Sequence, residues 1–211
     1  MTRNLRTILV SATMLSAMAL GVACSSDSTS QGSGALKVQL TDAPFSSDSV
    51  SRVDLFVVRV DAKLADTDSA DAAKSATDDS VSTSEWKTIA TPSKKIELLA
   101  LRNGAFTELG AKSLTAGTYR SFRLVIDPSQ SSVTLKNGTV LTSSSSPSVT
   151  FPSAARSGIK IILTTPLVVT AGDTTTTLVD FDVNQSFVMR GNTINQNGLL
   201  FKPVVKATVK K

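Results

Sequence analysis

Apolar and polar residues alternate along much of this 211-residue chain, which is the pattern of half-buried β-strands. Near the start, Leu36, Val38 and Leu40 are separated by polar residues, and Asp42 and Pro44 then indicate a turn. Further alternating runs are separated by Asn-Gly pairs, prolines and Ser-rich segments. We count about nine or ten such strands, which predicts an all-β fold, an antiparallel β-sandwich.

The alternation also assigns side chains within two of these elements. In the strand predicted over residues 51–63, we assign Phe56, Val58 and Val60 to the core face, with the alternate apolar positions partly covered. Farther along, two alternating runs flank Asn137-Gly138, a pair that accepts positive φ. This predicts a β-hairpin with a type I′ turn.

Two segments show no clear period. Leu98, Leu99 and Leu101 fit either a short helix or a strand, and the pattern leaves both open. Residues 64–85 consist mainly of Ala, Ser, Thr and Asp, with almost nothing to bury. Such a segment cannot offset the entropy lost on ordering, so we predict a disordered loop inside a β-sandwich domain that spans residues 35–211.

The N-terminal residues have a different pattern from the domain. Arg3 and Arg6 precede an uncharged run whose most apolar part is about a dozen residues, shorter than the roughly 20 of a bilayer-spanning helix. A basic start, a short apolar core and small residues at its end predict a secretory signal peptide over residues 1–23. The single cysteine of the chain, Cys24, follows directly.

The segment Gly21–Cys24, with the letters GVAC, resembles a bacterial lipobox. The resemblance implies that the Cys24 thiol takes a covalent diacylglycerol, that the chain is cut before it, and that the new amine is acylated. Several acyl chains together give stable membrane anchoring. By the same resemblance, Ser25 rather than Asp after the cysteine implies the outer membrane. An ordinary secreted protein with an unpaired cysteine is the alternative.

Residues 24–34 connect the predicted anchor to the predicted domain. From Ser25 to Gly34 there is no apolar residue, and Ser and Gly predominate. This composition is typical of a flexible tether.

Charge and composition exclude several classes of function. The net charge of +5 falls to +3 once Arg3 and Arg6 are removed with the leader, too little to indicate a nucleic-acid partner. The chain has no histidine, which excludes Ser-His-Asp triads and histidine metal ligands. We therefore predict no catalytic residue and no cofactor other than the acyl anchor.

Three carboxylates are the candidates for a metal or ligand site. Asp180 and Asp182 lie two residues apart on a predicted strand, so they share a face, and Asp42 lies at the end of another strand. Together with carbonyl oxygens they could bind Ca²⁺. We favour a structural interpretation instead, in which the two strand carboxylates form cross-strand ion pairs with cations such as Arg123 or Lys160.

A Ser-x-x-Lys pattern occurs at Ser157–Lys160 and again at Ser84–Lys87. In penicillin-binding serine enzymes the serine begins a helix, and a Lys-Thr-Gly strand completes the site. Here the residues after Gly158 have the pattern of a strand, and the Lys-Thr-Gly triplet is absent from the sequence. A serine hydrolase is therefore only the third hypothesis.

Lys202, Lys206 and Lys210 fall on one face near the end of the sequence. Such a stripe could meet lipid headgroups or an acidic polymer, but lysines more often protect the edge strand of a sheet. We predict an edge strand here.

Six short motifs occur in an order that resembles a bacterial and archaeal family catalogued as domain of unknown function 4382. They are LTDAP, ELLALRNG, AGTYRSFRLVI, SGIKI, LVDFDVNQS and FKPVV, between Ala35 and Val209. The resemblance implies a β-sandwich in a cell-envelope lipoprotein, and it implies no activity.

The leading hypothesis from the sequence is a membrane-anchored cell-envelope lipoprotein with a non-enzymatic binding, adhesion or structural role. Its predicted partners are the membrane, through the anchor, and an envelope protein or a glycan, but not nucleic acid. The alternative is an envelope lipoprotein that binds a carbohydrate or calcium near Asp42, Asp180 and Asp182.

Overall fold

The computed structural model describes residues 32–42, 49–65, 86–152 and 157–210. The predicted signal peptide, Cys24 and most of the predicted tether lie outside the described residues, as does the predicted loop beyond Ala65. In the part of the chain that is described, no helix has the length and apolar character needed to cross a membrane.

Short strands make up most of the described chain. The strands are β1 (Ser33–Asp42), β2 (Val50–Leu64), β3 (Trp86–Ala90), β4 (Lys94–Glu97), β5 (Thr107–Thr115), β6 (Gly117–Ile126), β7 (Ser132–Leu135), β8 (Val140–Leu141), β9 (Val149–Thr150), β10 (Ile159–Val169), β11 (Thr174–Phe181), β12 (Phe187–Met189), β13 (Leu199–Phe201) and β14 (Val205–Lys210). Two single-turn helices are α1 (Val183–Ser186) and α2 (Ile194–Asn197), and two 3₁₀ turns lie at Leu98–Leu101 and Pro128–Gln130.

The longer strands form two sheets. Sheet A has the order β14-β11-β1-β5. Sheet B is built around β2, which pairs with β6 and β7 along one side and with β3 and β4 along the other, while β10 extends it beyond β6 and β8 beyond β7. A third, small sheet has the order β12-β13-β9.

Sheets A and B share one apolar core, which confirms the predicted all-β sandwich. At its margins β10 runs against β14 and β3 against β5. The described chain has fourteen strands instead of nine or ten, because several are only two to four residues long and show no alternation of their own. Most pairs are antiparallel as predicted, but β1–β11 and β9–β13 are parallel.

The first strand has the predicted faces. Leu36, Val38 and Leu40 are fully buried, whereas Lys37 and Gln39 are half-buried.

The face assigned to β2 is wrong for Phe56 and Val58 and correct for Val60. The core side carries Val53, Leu55, Val57, Val60 and Ala62. Phe56 and Val58 are only half-buried and lie on the other face. The pairing with β6 shifts between Val57 and Arg59, so Val58 is the extra residue of a β-bulge. Because side chains alternate with a period of two, one extra residue exchanges the faces of the strand.

The predicted hairpin at Asn137-Gly138 forms, but its turn is not type I′. Gly138 has a φ of +86°, whereas Asn137 has no positive φ. The Gly138 N–H donates to the Leu135 carbonyl, and the Leu135 N–H donates to the Thr139 carbonyl, which closes a three-residue loop. This is the hairpin in which glycine occupies the left-handed position after a type I turn.

The segment that the sequence left open is the 3₁₀ turn Leu98–Leu101, in which Leu98, Leu99 and Leu101 are all buried. The Glu97 carboxylate accepts a hydrogen bond of 3.0 Å from the Leu99 N–H and so caps the turn.

The last strand lies at the edge of sheet A, as predicted. Lys206 and Lys210 are exposed on its outer face, and Lys202 precedes the strand.

A buried ion pair lies on the face of sheet B opposite the core. Asp61 is 1% exposed and accepts hydrogen bonds from Arg123 Nε and Nη2 at 3.1 and 2.8 Å. Thr88 Oγ1 donates to its other oxygen at 2.9 Å, and Arg59 Nε lies 2.9 Å from that oxygen. The ring of Trp86 lies 4.6 Å from the Arg123 guanidinium carbon. Both oxygens of the buried carboxylate are therefore satisfied.

We expect Asp61→Ala to lower the free energy of unfolding by about 3–5 kcal/mol, because it leaves the buried Arg123 guanidinium without a counterion. Urea unfolding measures the change. The control is Glu108→Ala, which breaks an exposed pair with Lys37 and should cost less than about 1 kcal/mol. The double variant Asp61→Leu/Arg123→Met should recover much of the loss. Equal losses for Asp61→Ala and Glu108→Ala would contradict this account.

Candidate functional site

The three predicted carboxylates meet at one end of sheet A. Strands β1 and β11 run parallel, with Thr41 opposite Asp180 and Asp42 opposite Phe181. Both strands therefore end at the same edge of the sandwich, and Asp182 follows directly after β11. Neighbouring parallel strands thus place Asp42 beside residues that are far from it in the sequence.

Asp42 is the most buried of the three carboxylates, with 4% of its surface exposed. Its Oδ1 accepts a hydrogen bond of 3.3 Å from the Val183 N–H, whereas its Oδ2 has no hydrogen-bond partner. Burial raises the pKa of Asp42 to about 7. The Val183 hydrogen bond and the positive charge of Arg102 oppose this rise, and the negative charges of Asp180 and Asp182 add to it.

Asp180 is half-buried, and its Oδ1 also has no hydrogen-bond partner. Its pKa is raised, mainly by burial and then by the negative charge of Asp182, while Lys206 opposes the rise. Lys206 lies opposite Asp180 on the neighbouring strand β14.

The predicted partners of the strand carboxylates are wrong. Arg123 lies on β6 and Lys160 on β10, both in sheet B, and Arg123 binds Asp61. The cation opposite Asp180 is Lys206. Cross-strand pairs depend on which strands are neighbours, and the sequence pattern does not contain that information.

Asp182 is the N-terminal cap of α1. Its Oδ1 accepts from the Gln185 N–H at 3.0 Å, and its Oδ2 accepts from Gln185 Nε2 at 2.6 Å. Both oxygens are therefore occupied by the capping interaction. At this end of the sandwich, Asp42 and Asp180 each keep one buried carboxylate oxygen that has no hydrogen-bond partner, which we call an open oxygen.

The described ranges contain no group of three or more His, Cys, Asp or Glu residues arranged to hold a metal ion. Calcium takes six to eight oxygen ligands, several of them usually carboxylate. Two open carboxylate oxygens would therefore need additional ligands from carbonyl groups and water.

Arg102 is a residue of the site that the sequence analysis missed. The Thr41 hydroxyl lies 3.1 Å from the Leu101 carbonyl and 2.7 Å from the Ala105 carbonyl, which holds the segment after the 3₁₀ turn against the end of β1. Arg102 Nε donates to the Leu99 carbonyl at 2.7 Å. Its positive charge acts on Asp42 because of this tertiary placement, and no local sequence signal indicates it.

A separate groove of about 390 Å³ lies between the β7–β8 turn and α2. Asn137 Nδ2 donates to Asn195 Oδ1 at 3.3 Å in its lining, which also includes Thr193 and Met189. Among the described residues, no aromatic ring lines the groove, so this part of it lacks the stacking surface common in sugar sites.

The Ser-x-x-Lys pattern at Ser157–Lys160 lies on a turn and the start of β10 and not on a helix, as the sequence analysis expected. Ser84 and Cys24 lie outside the described residues.

Comparison with known proteins identifies the family. The sequence model of the family described as Domain of unknown function (DUF4382) matches residues 33–203. The chain therefore belongs to this family. Comparisons with curated proteins and with solved structures found no match.

The buried Asp42 predicts a specific pH dependence of stability. The folded state raises its pKa from 3.8 to about 7, so between these values the folded chain keeps a proton that the unfolded chain loses. The contribution of Asp42 to stability is complete at low pH and declines as pH rises to about 7. Asp42→Asn removes this dependence.

We expect the stability of Asp42→Asn relative to the natural chain to increase by roughly 2–3 kcal/mol between about pH 5 and pH 8. Denaturant unfolding at several pH values measures it, with the exposed Asp173→Asn as the matched control. A stability difference between natural chain and Asp42→Asn that stays constant over this range would show that Asp42 titrates normally.

Proposed function

We propose that this chain is a lipid-anchored protein of the cell envelope. Acyl groups on Cys24 hold it in the membrane, and its β-sandwich has a non-enzymatic binding, adhesion or structural role. The outer membrane is the proposed location, on the basis of the lipobox resemblance with Ser25 after the cysteine. An envelope protein or a glycan is the proposed partner.

The observation that carries the proposal is the position of the domain relative to Cys24. Strand β1 begins at Ser33, nine residues after Cys24, and the family match begins at the same residue. The leader and the cysteine therefore precede the family domain. This arrangement fits a leader that is removed and an anchor that is separated from the fold by a short tether.

A non-enzymatic role fits the chemistry of the site. Asp42 and Asp180 are carboxylates with raised pKa values, but the chain has no histidine to act with them as a base or ligand. Arg102 and Lys206 supply positive charge near them. Such a group of opposite charges suits the binding of a polar partner.

We expect Cys24→Ser, expressed in a bacterial host with two membranes, to leave the membrane fraction and appear in the soluble fraction, or to keep its N-terminal leader uncut. Ser26→Ala should remain in the membrane fraction and serves as the control. Mass spectrometry of the natural N-terminus should show Cys24 as the first residue, carrying diacylglycerol. An unmodified Cys24, or a cut elsewhere, would remove the proposal.

Calcium or carbohydrate binding near Asp42, Asp180 and Asp182 is the second candidate function. The open oxygens of Asp42 and Asp180 favour it, since unpaired buried carboxylate oxygens are costly without a partner. The engagement of both Asp182 oxygens by Gln185 counts against a three-carboxylate site.

If this second function holds, calcium at about pH 8 should raise the melting temperature of the natural chain by several degrees. Asp42→Asn and Asp180→Asn should remove the increase, and Asp173→Asn should retain it. A glycan array probed with the natural chain and the same variants tests whether the site binds a carbohydrate. No increase with calcium and no glycan signal would remove the second candidate and leave the first intact.

A further inference from the structure

The end of the sandwich where β1 begins is built from three chain segments. The Ala116 N–H donates to the Gly32 carbonyl at 2.7 Å, and the Gly172 N–H donates to the Ser33 carbonyl at 2.9 Å. The β5–β6 and β10–β11 turns therefore close around the point where the chain enters from Cys24. We call the surface formed by these turns and the adjoining ends of β2, β6, β10 and β14 the tether end.

Two large apolar side chains are exposed at the tether end. Leu64 is 39% exposed and Val168 is 57% exposed. In sheet B, Leu64 lies opposite the buried Tyr119 and Val168 lies opposite Thr118, so both flank the start of β6. Leu64 is at the margin of the core side of the sheet, and Val168 is on its outer side. Val168 faces outwards because its neighbours Leu167 and Val169 are both buried in the core.

Cations accompany these apolar side chains. On β6, Ser121 lies opposite Lys63, and Tyr119 lies opposite Leu64. The exposed Arg120 between them has no opposite residue on β2, so it is the extra residue of a bulge next to Leu64. Lys210, also exposed, lies opposite Thr176 near the start of β11. One carboxylate, Asp173 on the β10–β11 turn, is also exposed at this end. Apolar side chains together with more cations than carboxylates are the combination that binds the interface of an anionic bilayer.

The length of the tether limits where this surface can lie. Ser33 lies nine positions after Cys24, so the two are at most roughly 30 Å apart even when the connection is fully extended. With Cys24 held at the bilayer, the tether end is the part of the domain that the covalent connection keeps nearest to lipid.

We propose that the tether end is a membrane-contact surface, in which Leu64 and Val168 enter the lipid interface and Arg120 and Lys210 meet anionic headgroups. This inference rests on the proposed acyl anchor for its geometry. It adds to the anchor a fixed orientation of the sandwich, with the carboxylate end directed away from the bilayer.

The opposite end of the sandwich offers a matched control. Phe106 is 53% exposed, which is close to the value for Val168. It directly precedes β5, whose first residue, Thr107, lies opposite Leu40 near the end of β1. Phe106 and Val168 are thus two similarly exposed apolar residues at opposite ends of one domain.

The test measures lipid contact at these two positions in the full acylated chain. Val168→Cys and Phe106→Cys are each labelled with a nitroxide after reconstitution into vesicles of phosphatidylethanolamine and phosphatidylglycerol. Cys24 is the single native cysteine, and the proposed diacylglycerol blocks its thiol, so the added thiol is the one labelled. Power saturation then compares collisions with oxygen, which concentrates in lipid, and with a water-soluble nickel chelate.

We expect the oxygen-to-nickel collision ratio to be several-fold higher at position 168 than at position 106. Detergent solubilisation should make the two ratios similar. Arg120→Ser should lower the ratio at position 168 in anionic vesicles and not in uncharged ones, because its headgroup contact is electrostatic.

The N-terminal mass of the same samples separates this inference from the proposed function. Equal ratios at the two positions with Cys24 acylated would overturn the contact surface and leave the anchor standing. An unmodified Cys24 would overturn the anchor, and the same vesicles added to that chain would then test the surface directly. Exclusion of both oxygen and nickel at position 168 would indicate contact with a second protein and would also overturn the inference.

Discussion

The parallel pairing of β1 with β11 is the constraint on which both ends of the sandwich depend. It joins Ala35 to Thr174 at one end and Asp42 to Phe181 at the other, across most of the length of the domain. Parallel strands cannot be joined by a tight turn, so a long stretch of chain connects the end of β1 to the start of β11. The entry of the chain and the carboxylate cluster are placed by this single alignment.

The sandwich contains buried carboxylates in two different states. Asp61 is satisfied by Arg123, Arg59 and Thr88, so its burial is matched by charge and by hydrogen bonds. Asp42 has one weak hydrogen bond and one open oxygen, and its nearest charges include two more carboxylates. A group that burial leaves unsatisfied holds a proton more tightly, and any partner that supplies the missing interaction gains affinity.

The two ends of the domain differ in chemistry. Leu64 and Val168 lie near the entry of the chain, with cations beside them, whereas Asp42 and Asp180 lie at the far end of the same two strands of sheet A that begin there. With the first end on a bilayer, the second would face the aqueous compartment. The proposed anchor and the carboxylates would then be separated by the full length of β1.

Much of the secondary structure follows from local pattern. The faces of β1 are correct because Leu36, Val38 and Leu40 alternate without interruption. In β2, by contrast, the bulge at Val58 exchanges the faces halfway along, and it arises from pairing with β6 rather than from the residues of β2 themselves. Local pattern also fails to decide the conformation of Leu98–Leu101. Its three leucines can be buried in a helical turn or in a strand, and the structure shows a 3₁₀ turn.

The sequence by itself determined the strand-rich class, the position of the lysine-protected edge and the hairpin at Asn137-Gly138. Only the tertiary structure decided that Asp42 and Asp180 come together, that Arg102 acts on them, and that Arg123 is bound to Asp61 instead. Alternation and turn residues act over a few positions and can be read along the chain. Strand neighbours, and the burial and charge contacts that follow from them, depend on which distant segments pair.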